Sequence, residues 1–453
     1  MNVMEAELPE GFRQEMEALL GADESEKLLK ALNTAPAVGV RLNTRKRPET
    51  PLYEGMTAVP WCKDGYWLAE RPQFTLNPLL HAGCFYVQDP SSMVYQAVVE
   101  KIMTEGGFSS PAVLDMCAAP GGKSTAMLNA LPGSAVLVSN EYVGKRAAIL
   151  KENLTKWGFP NSIVTNSDSA DFAKSGAVFD IVAVDAPCSG EGMMRKEEVA
   201  RTQWSPGLVR DCARLQREIL DNAIRALKPG GYLIYSTCTF NAEENEQNTA
   251  YIAGQEGMEH IPLEINGVPE ECSRISRSVA EKTGGLPGLR FMPHITDGEG
   301  LFIALFRKRG ASEPRTAVRG TYKQARKQRA EKGNSAETLY FQTDAVKEML
   351  GALQPHARVL QAGVPMAERK GKLELPLSER VLTTSREVER YPNIETDLKT
   401  ALAYLRREAI VLPAGTPTGY VEIRYQGFPL GLVKNLGNRA NNLYPAQWRI
   451  RKQ

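Results

Sequence analysis

Two cysteines stand in contexts that suit covalent chemistry. Asp185-Ala-Pro-Cys188-Ser-Gly-Glu-Gly closes one apolar run, and Ser236-Thr-Cys238-Thr closes another. A thiolate is a strong nucleophile, and its addition to C6 of a pyrimidine turns the ring into an enamine whose C5 can attack an electrophilic methyl. A carboxylic acid at the ring's N3 would stabilise that adduct, and Asp185 is the nearest candidate. The C5 proton must then leave and the thiol be eliminated, which a second thiol could serve. The residues themselves leave open which cysteine attacks. All seven cysteines lie far apart in sequence with no C-x-x-C pair, which argues against a disulfide framework and a zinc ribbon, and no metal is expected. Cys62, Cys84, Cys212 and Cys272 read as small buried hydrophobes, and Cys117 as structural.

A third segment, Asp115-Met-Cys-Ala-Ala-Pro-Gly-Gly-Lys-Ser-Thr125, has the composition of a ligand-cradling turn. Its two glycines let backbone approach a ligand, and the start of the following helix favours negative charge. A P-loop fits only at Gly122-Lys123-Ser124, because Cys117 stands where its first glycine belongs; the G-x-G-x-x-G fingerprint is absent. A small cofactor with ribose hydroxyls fits better. Glu141 closes the run AVLVSNE, placed for bidentate contact with a diol, and Asp168 follows the next strand, placed to accept from an adenine amino group. Such a series at successive strand ends is the S-adenosylmethionine pattern of class I methyltransferases.

The elements that must position these residues alternate from residue 112 onward. AVLDM, AVLVSNE, SIVTNSD, FDIVAVDAP and PGGYLIYSTCTF read as five strands, with helices over 121–131, VGKRAAILKENLTKWG and 214–227 between them. Repeated β-α-β units of this length predict an α/β, mostly parallel doubly wound sheet of Rossmann-like type. The carboxyl ends of its strands border one crevice, so both thiols face the place where the cofactor's methyl should lie. LFIALFRKR reads as a closing strand. Before the sheet come short amphipathic helices and the strand-like VGVRLNT; after it, strand-like pieces (TLYFQ, RVLQAG, YVEIRYQ, PLGLVKN) surround the helical DLKTALAYLRRE. Four divisions follow: 1–90 as an N-terminal domain, 91–309 as the catalytic domain, 310–380 as a basic linker and intermediate module, and 381–453 as a C-terminal α+β domain.

Composition narrows the function class. The 453 residues are 42% hydrophobic and 24% charged, so a folded, several-domain chain is expected. No run of apolar residues is long enough to span a membrane, and the N-terminus carries acids where a secretory signal needs bases; a cytoplasmic, monomeric protein is expected. The net charge of +2 is uneven: residues 307–332 hold ten Lys/Arg against two Glu, a net +8, and the stretch from Ile423 onward has six Lys/Arg and no acid. Two basic segments in one half of a near-neutral chain suit a polyanionic partner.

RLNT (41–44), GCFYVQDPSSM (83–93), VLDMCAAPGGKS (113–124), SNE (139–141), FDIVAVDAPCSGEGMMRK (179–196), LKPGGYLIYSTCTFNAEENE (227–246) and GFPLGLVKN…NLYP (427–445) together carry a resemblance. The chain resembles the NOL1/NOP2/Sun family of RNA 5-methylcytosine methyltransferases, and within it the bacterial RsmF-type branch acting on 16S rRNA. The resemblance implies that Cys117, Ala118, Ala119, Pro120, Gly121, Gly122, Lys123, Glu141, Asp168 and Asp185 contact S-adenosylmethionine. It implies that Cys238 is the nucleophile, that Cys188 assists product release, and that the partner is RNA, 16S rRNA or the 30S subunit. It also implies an N-terminal RNA-contacting domain and a C-terminal PUA-like RNA-binding module. Lys196, Lys434, Asn435 and Tyr444 are the RNA-contact candidates, with Tyr425 and Trp448 as further exposed aromatics. Two alternatives stand beside this reading: the same chemistry on tRNA, and a non-catalytic RNA-binding assembly factor, against which the intact cysteines and cofactor acids count.

Overall fold

The structure, a computed structural model, describes residues 7–311 and 337–451. Most of the basic run at 307–332 therefore lies outside the described residues. Its first three bases are inside and engaged: Arg307 lies over the Tyr232 ring, Lys308 donates to two carbonyls and Arg309 pairs with Glu259.

Apolar runs with almost no alternation form the central sheet, as expected of strands covered on both faces. These are β1 (Ala112–Asp115), β2 (Val136–Asn140), β3 (Ser162–Thr165), β4 (Phe179–Asp185) and β5 (Leu227–Thr237). They lie in the order β3-β2-β1-β4-β5, all parallel. The expected fold class is thus observed: an α/β sheet of the class I methyltransferase type. β6 (Leu301–Lys308) closes it antiparallel to β5, and Met258–Ile261 and Leu289–Phe291 pair with β6. Helices α1 (Gly122–Ala130), α2 (Gly144–Trp157), α3 (Ser169–Lys174) and α4 (Pro206–Ala226) connect the parallel strands. The chain leaves β1 toward β2 and returns to β4 on the other side, so the strand order reverses between β1 and β4. In sheets of this kind the ligand crevice lies at that reversal, beyond the carboxyl ends of the two strands.

The far edge of the sheet corrects one expectation. A separate module over 310–380 is expected, yet α5 (Asp344–Leu353) packs Val346, Met349, Leu350 and Leu353 into the core on one face of the central sheet. β7 (Val359–Ala362) then pairs antiparallel with β3 as the ninth strand. The strand-like RVLQAG is visible in sequence, but a lone antiparallel edge strand carries no signal of which sheet it joins.

The modules at the two ends of the chain also meet. Helices Glu10–Leu20 and Ala22–Ala31 bury Phe12, Met16 and Leu28 against Met194, Trp204, Phe240 and Met292 beside the cysteine loops. The small sheet that follows, containing Gly39–Leu42 and Phe85–Val87, shares one core with the C-terminal domain. Val40, Leu79 and Phe85 lie in the same cluster as Tyr404, Ile423, Leu430 and Tyr444. The C-terminal domain itself is a four-stranded sheet built on Gly419–Tyr425 and Phe428–Asn435, with helix Leu398–Leu405.

Candidate active site

The sheet register decides which side chains share the crevice. Asp185 ends β4 opposite Ser236 of β5, and Asp115 ends β1 opposite Ala183 of β4 and Ser139 of β2. Cys188 and Cys238 follow the ends of the neighbouring strands β4 and β5, and their sulfurs lie 3.2 Å apart, both half-buried. A hydrogen bond to Cys238 and burial push the Cys188 thiol well above its usual range. Cys188 therefore keeps its proton in this pair. The loops approach through glycine: a Cβ at Gly192 would lie 2.9 Å from the Cys238 carbonyl oxygen and 2.8 Å from that of Glu299.

Asp185 is an ion-pair member. Lys123 Nζ lies 2.7 Å from its Oδ2, and Ser236 Oγ donates to its Oδ1 at 2.7 Å. Tyr95 lies 2.7 Å behind Ser236 Oγ, and burial together with the Asp185 charge pushes its phenol pKa up, so Tyr95 is the donor there. Burial alone would lower Lys123, but the Asp185 charge and hydrogen bond hold it above its ordinary value. The lysine that the sequence places in a cofactor turn thus points at the carboxylate beside the cysteines.

Between β1 and α1 the turn is held from several sides. Gly121 takes a left-handed φ of 112°, which a side chain disfavours, and α1 starts at the next residue. Arg41 of the RLNT segment, wholly buried, donates to the carbonyls of Gly122 and Thr125 and to Thr125 Oγ1. Asn140 donates to the carbonyls of Met116 and Ser167, tying the ends of β1, β2 and β3 together. Glu141 is buried; its Oε1 accepts from Val143 N at 2.8 Å and its Oε2 faces Arg146 Nη1 at 3.2 Å. Asp168 is exposed and caps α3 by accepting from Ala170 N.

Sequence reasoning placed Asp115 at the head of the cofactor series but assigned it no contact. Ser124 Oγ donates to its Oδ2 at 2.6 Å, while Oδ1 is buried without a hydrogen-bond partner, as is Ser139 Oγ beside it. Burial pushes the Asp115 carboxyl up to about 7. A raised acid in the folded state contributes stability that is present below its unfolded pKa near 4 and lost as pH rises through about 7. Asp115→Asn should therefore flatten this part of the profile. Melting curves between about pH 5 and 8 should show wild type losing stability relative to the variant; parallel curves would mean the carboxyl ionises as freely folded as unfolded.

The RNA-contact candidates fare unevenly. Tyr444 is corrected: it is 1% exposed, packs against Tyr404 and Trp448, and faces His81 Nδ1 at 3.2 Å. Asn435 is corrected likewise: buried, it donates to the carbonyls of Thr416 and Pro417 and accepts from Gly437 N, which shapes a turn. Trp448 is buried beneath Lys156. Lys434 stays partly exposed over the Tyr420 ring. Lys196 is exposed with its ammonium 3.4 Å from Glu299. Of the cysteines, Cys62, Cys84 and Cys272 are buried as expected, but Cys212 is only partly so. Among the described residues no cluster of His, Cys, Asp and Glu could hold a metal, and no helix is long and apolar enough to cross a membrane.

Residues 109–307 match the family described as 16S rRNA methyltransferase RsmB/F, residues 8–90 the N-terminal domain of 16S rRNA methyltransferase RsmF, and residues 391–450 the methyltransferase RsmF PUA domain. A ribosomal RNA small subunit methyltransferase F from Enterobacter sp. (strain 638) is 31% identical over 421 residues, spanning 86% of this chain and 84% of that protein. The protein of the same name from Shewanella loihica is 31% identical, spanning 90% and 88%. A methyltransferase homolog from Pyrococcus horikoshii superposes with a TM-score of 0.54 at 26% identity, over 66% of this chain and 95% of that one. NSun6 from Pyrococcus horikoshii, solved with SFG, shares the fold at a TM-score of 0.55 and 21% identity, over 67% and 99%.

Proposed function

Because the chain belongs to the 16S rRNA methyltransferase RsmB/F family and carries the RsmF N-terminal and PUA domains, we propose that it methylates C5 of specific cytosines in small-subunit rRNA through a covalent cysteine adduct, with S-adenosylmethionine as cofactor. The observation that carries the reading is the pair of thiols 3.2 Å apart beyond two adjacent parallel strands.

The residues fit that cofactor. The unpartnered Asp115 Oδ1 and Ser139 Oγ lie at the ends of β1 and β2, beside a helix start and a buried acid. Glu141 would take the ribose hydroxyls, Asp168 the adenine amino group, and the backbone of residues 117–123 the amino-acid end. When bound, S-adenosylmethionine supplies an electrophilic methyl. Cys238, as its thiolate, would bond to C6 of the cytosine; the C5=C6 pair then shifts to C4=C5 and the C4=N3 pair to N3, leaving an enamine whose C5 is nucleophilic and takes the methyl. The proton needed at N3 is drawn from the Lys123–Asp185 pair, since Asp185 meets the base as half of that pair. On release the Cys188 thiol would pass its proton to the departing Cys238 sulfur 3.2 Å away and take the C5 proton in its place, while the N3 proton returns to the Lys123–Asp185 pair.

Bisulfite sequencing of total RNA from a strain lacking the gene tests this reading. Loss of 5-methylcytosine from small-subunit rRNA is expected. Loss confined to tRNA would move the substrate there, and no loss in any RNA would favour a non-catalytic assembly factor.

The cofactor assignment has its own test. A charge-assisted hydrogen bond is worth about 1.5–3 kcal/mol, so Glu141→Ala should weaken S-adenosylmethionine binding about ten- to a hundredfold. Titration calorimetry giving wild-type affinity would remove Glu141 from the site.

A further inference from the structure

We propose that Glu191 and Glu244 are positioning residues, a reciprocal pair of carboxylate straps that hold Cys188 and Cys238 at reacting distance; the catalytic part of this claim rests on the covalent reading above. Each carboxylate leaves one cysteine loop and binds the backbone of the other. Glu191, three residues after Cys188, accepts from Phe240 N at 2.6 Å and Asn241 N at 2.9 Å, in the loop behind Cys238. Glu244, on the Cys238 side, accepts from Ser189 N, the residue after Cys188, at 3.0 Å. Asn241 joins the two, donating to Glu191 Oε1 at 3.1 Å and to Glu244 Oε1 at 2.7 Å.

Both acids are fully buried. Burying two carboxylates this close is unfavourable unless their oxygens are satisfied, and every oxygen here has at least one donor. Trp204 Nε1 donates to Glu191 and Gln216 Nε2 to Glu244. Burial and the Glu191 charge push Glu244 up to about 7. Among the described residues, neither acid is tied to a cation by a hydrogen bond or ion pair, as a stabilising salt bridge would be. Two buried acids bound almost wholly by loop backbone and amides fix loop geometry.

Gln at either position keeps the shape but turns an NH₂ toward existing donors. Glu191→Gln and Glu244→Gln should bind S-adenosylmethionine as wild type does, while methyl transfer at saturating RNA and cofactor falls about ten- to a hundredfold, the scale of an ångström of misplacement. The readout specific to positioning is oxidation by diamide, which takes the two thiol hydrogens and leaves a Cys188–Cys238 disulfide that peptide mapping quantifies. That disulfide should form much more slowly in both variants. Trp204→Phe is the control: it removes a donor that belongs to neither loop and should leave both rates near wild type.

Wild-type disulfide formation in a folded E191Q or E244Q would overturn the proposal, as would equal slowing in W204F. Failure of both Gln variants to fold would also overturn it, since the straps would then serve the fold and not the thiols. The disulfide readout needs no turnover, so failure of the covalent mechanism leaves the test of the straps intact.

Discussion

Cys238→Ala should abolish methyl transfer and leave no covalent protein–RNA adduct, while Cys188→Ala should accumulate one. Without the Cys238 thiolate no bond to C6 can form. Without Cys188, addition and methylation can proceed but the adduct is released slowly, and it should survive denaturing electrophoresis. The adjacency of the sulfurs makes the contrast sharp: they are near enough for one proton to lie between them, yet the variants should fail at different steps. RNA carrying 5-fluorocytosine should trap wild type, because fluorine cannot leave C5 as a proton does. Peptide mapping of that adduct to Cys188 would reverse the two roles, and methyl transfer by a variant lacking both cysteines would defeat the covalent mechanism.

The second large effect concerns stability. Tyr444→Ala should cost about 3–5 kcal/mol, the usual range for removing a large buried aromatic, with His81 Nδ1 losing its partner as well. Thermal denaturation should show the loss directly. RNA affinity, measured where the variant is still folded, should be unchanged. A normal melting curve with weakened RNA binding would return Tyr444 to an RNA-facing surface.

Reading the sequence located the sheet and both cysteines for a physical reason. β1, β2, β4 and β5 are buried on both faces and are written as mainly apolar runs with little alternation, so their ends, and the residues just past them, are legible. Neighbouring parallel strands then bring Asp185, Cys188 and Cys238 together without further information. What stayed illegible depends on contacts between distant segments. Nothing local distinguishes Tyr444 as a core residue, because its partners are His81 and Tyr404. Glu191 and Glu244 sit inside recognised motifs, but their function is the exchange of bonds across 49–55 positions, which periodicity does not reveal. β7 could be read as a strand but not assigned to its sheet. A cut at residue 310, natural from the basic run, would strip that edge strand and α5 and open the core shared by the two end modules.

That shared core sets a timetable for the protein's synthesis. Tyr444 follows His81 by 363 positions, so at roughly 5–20 residues per second the N-terminal small sheet waits about 20–70 s on the ribosome for its packing partner. During that interval Val40, Leu79 and Phe85 have their covering side chains still untranslated. The catalytic sheet, whose parallel strands all lie between residues 112 and 237, is complete in outline well before then. Early apolar exposure, and a dependence on whatever shields it, are therefore written into the order in which the chain is made.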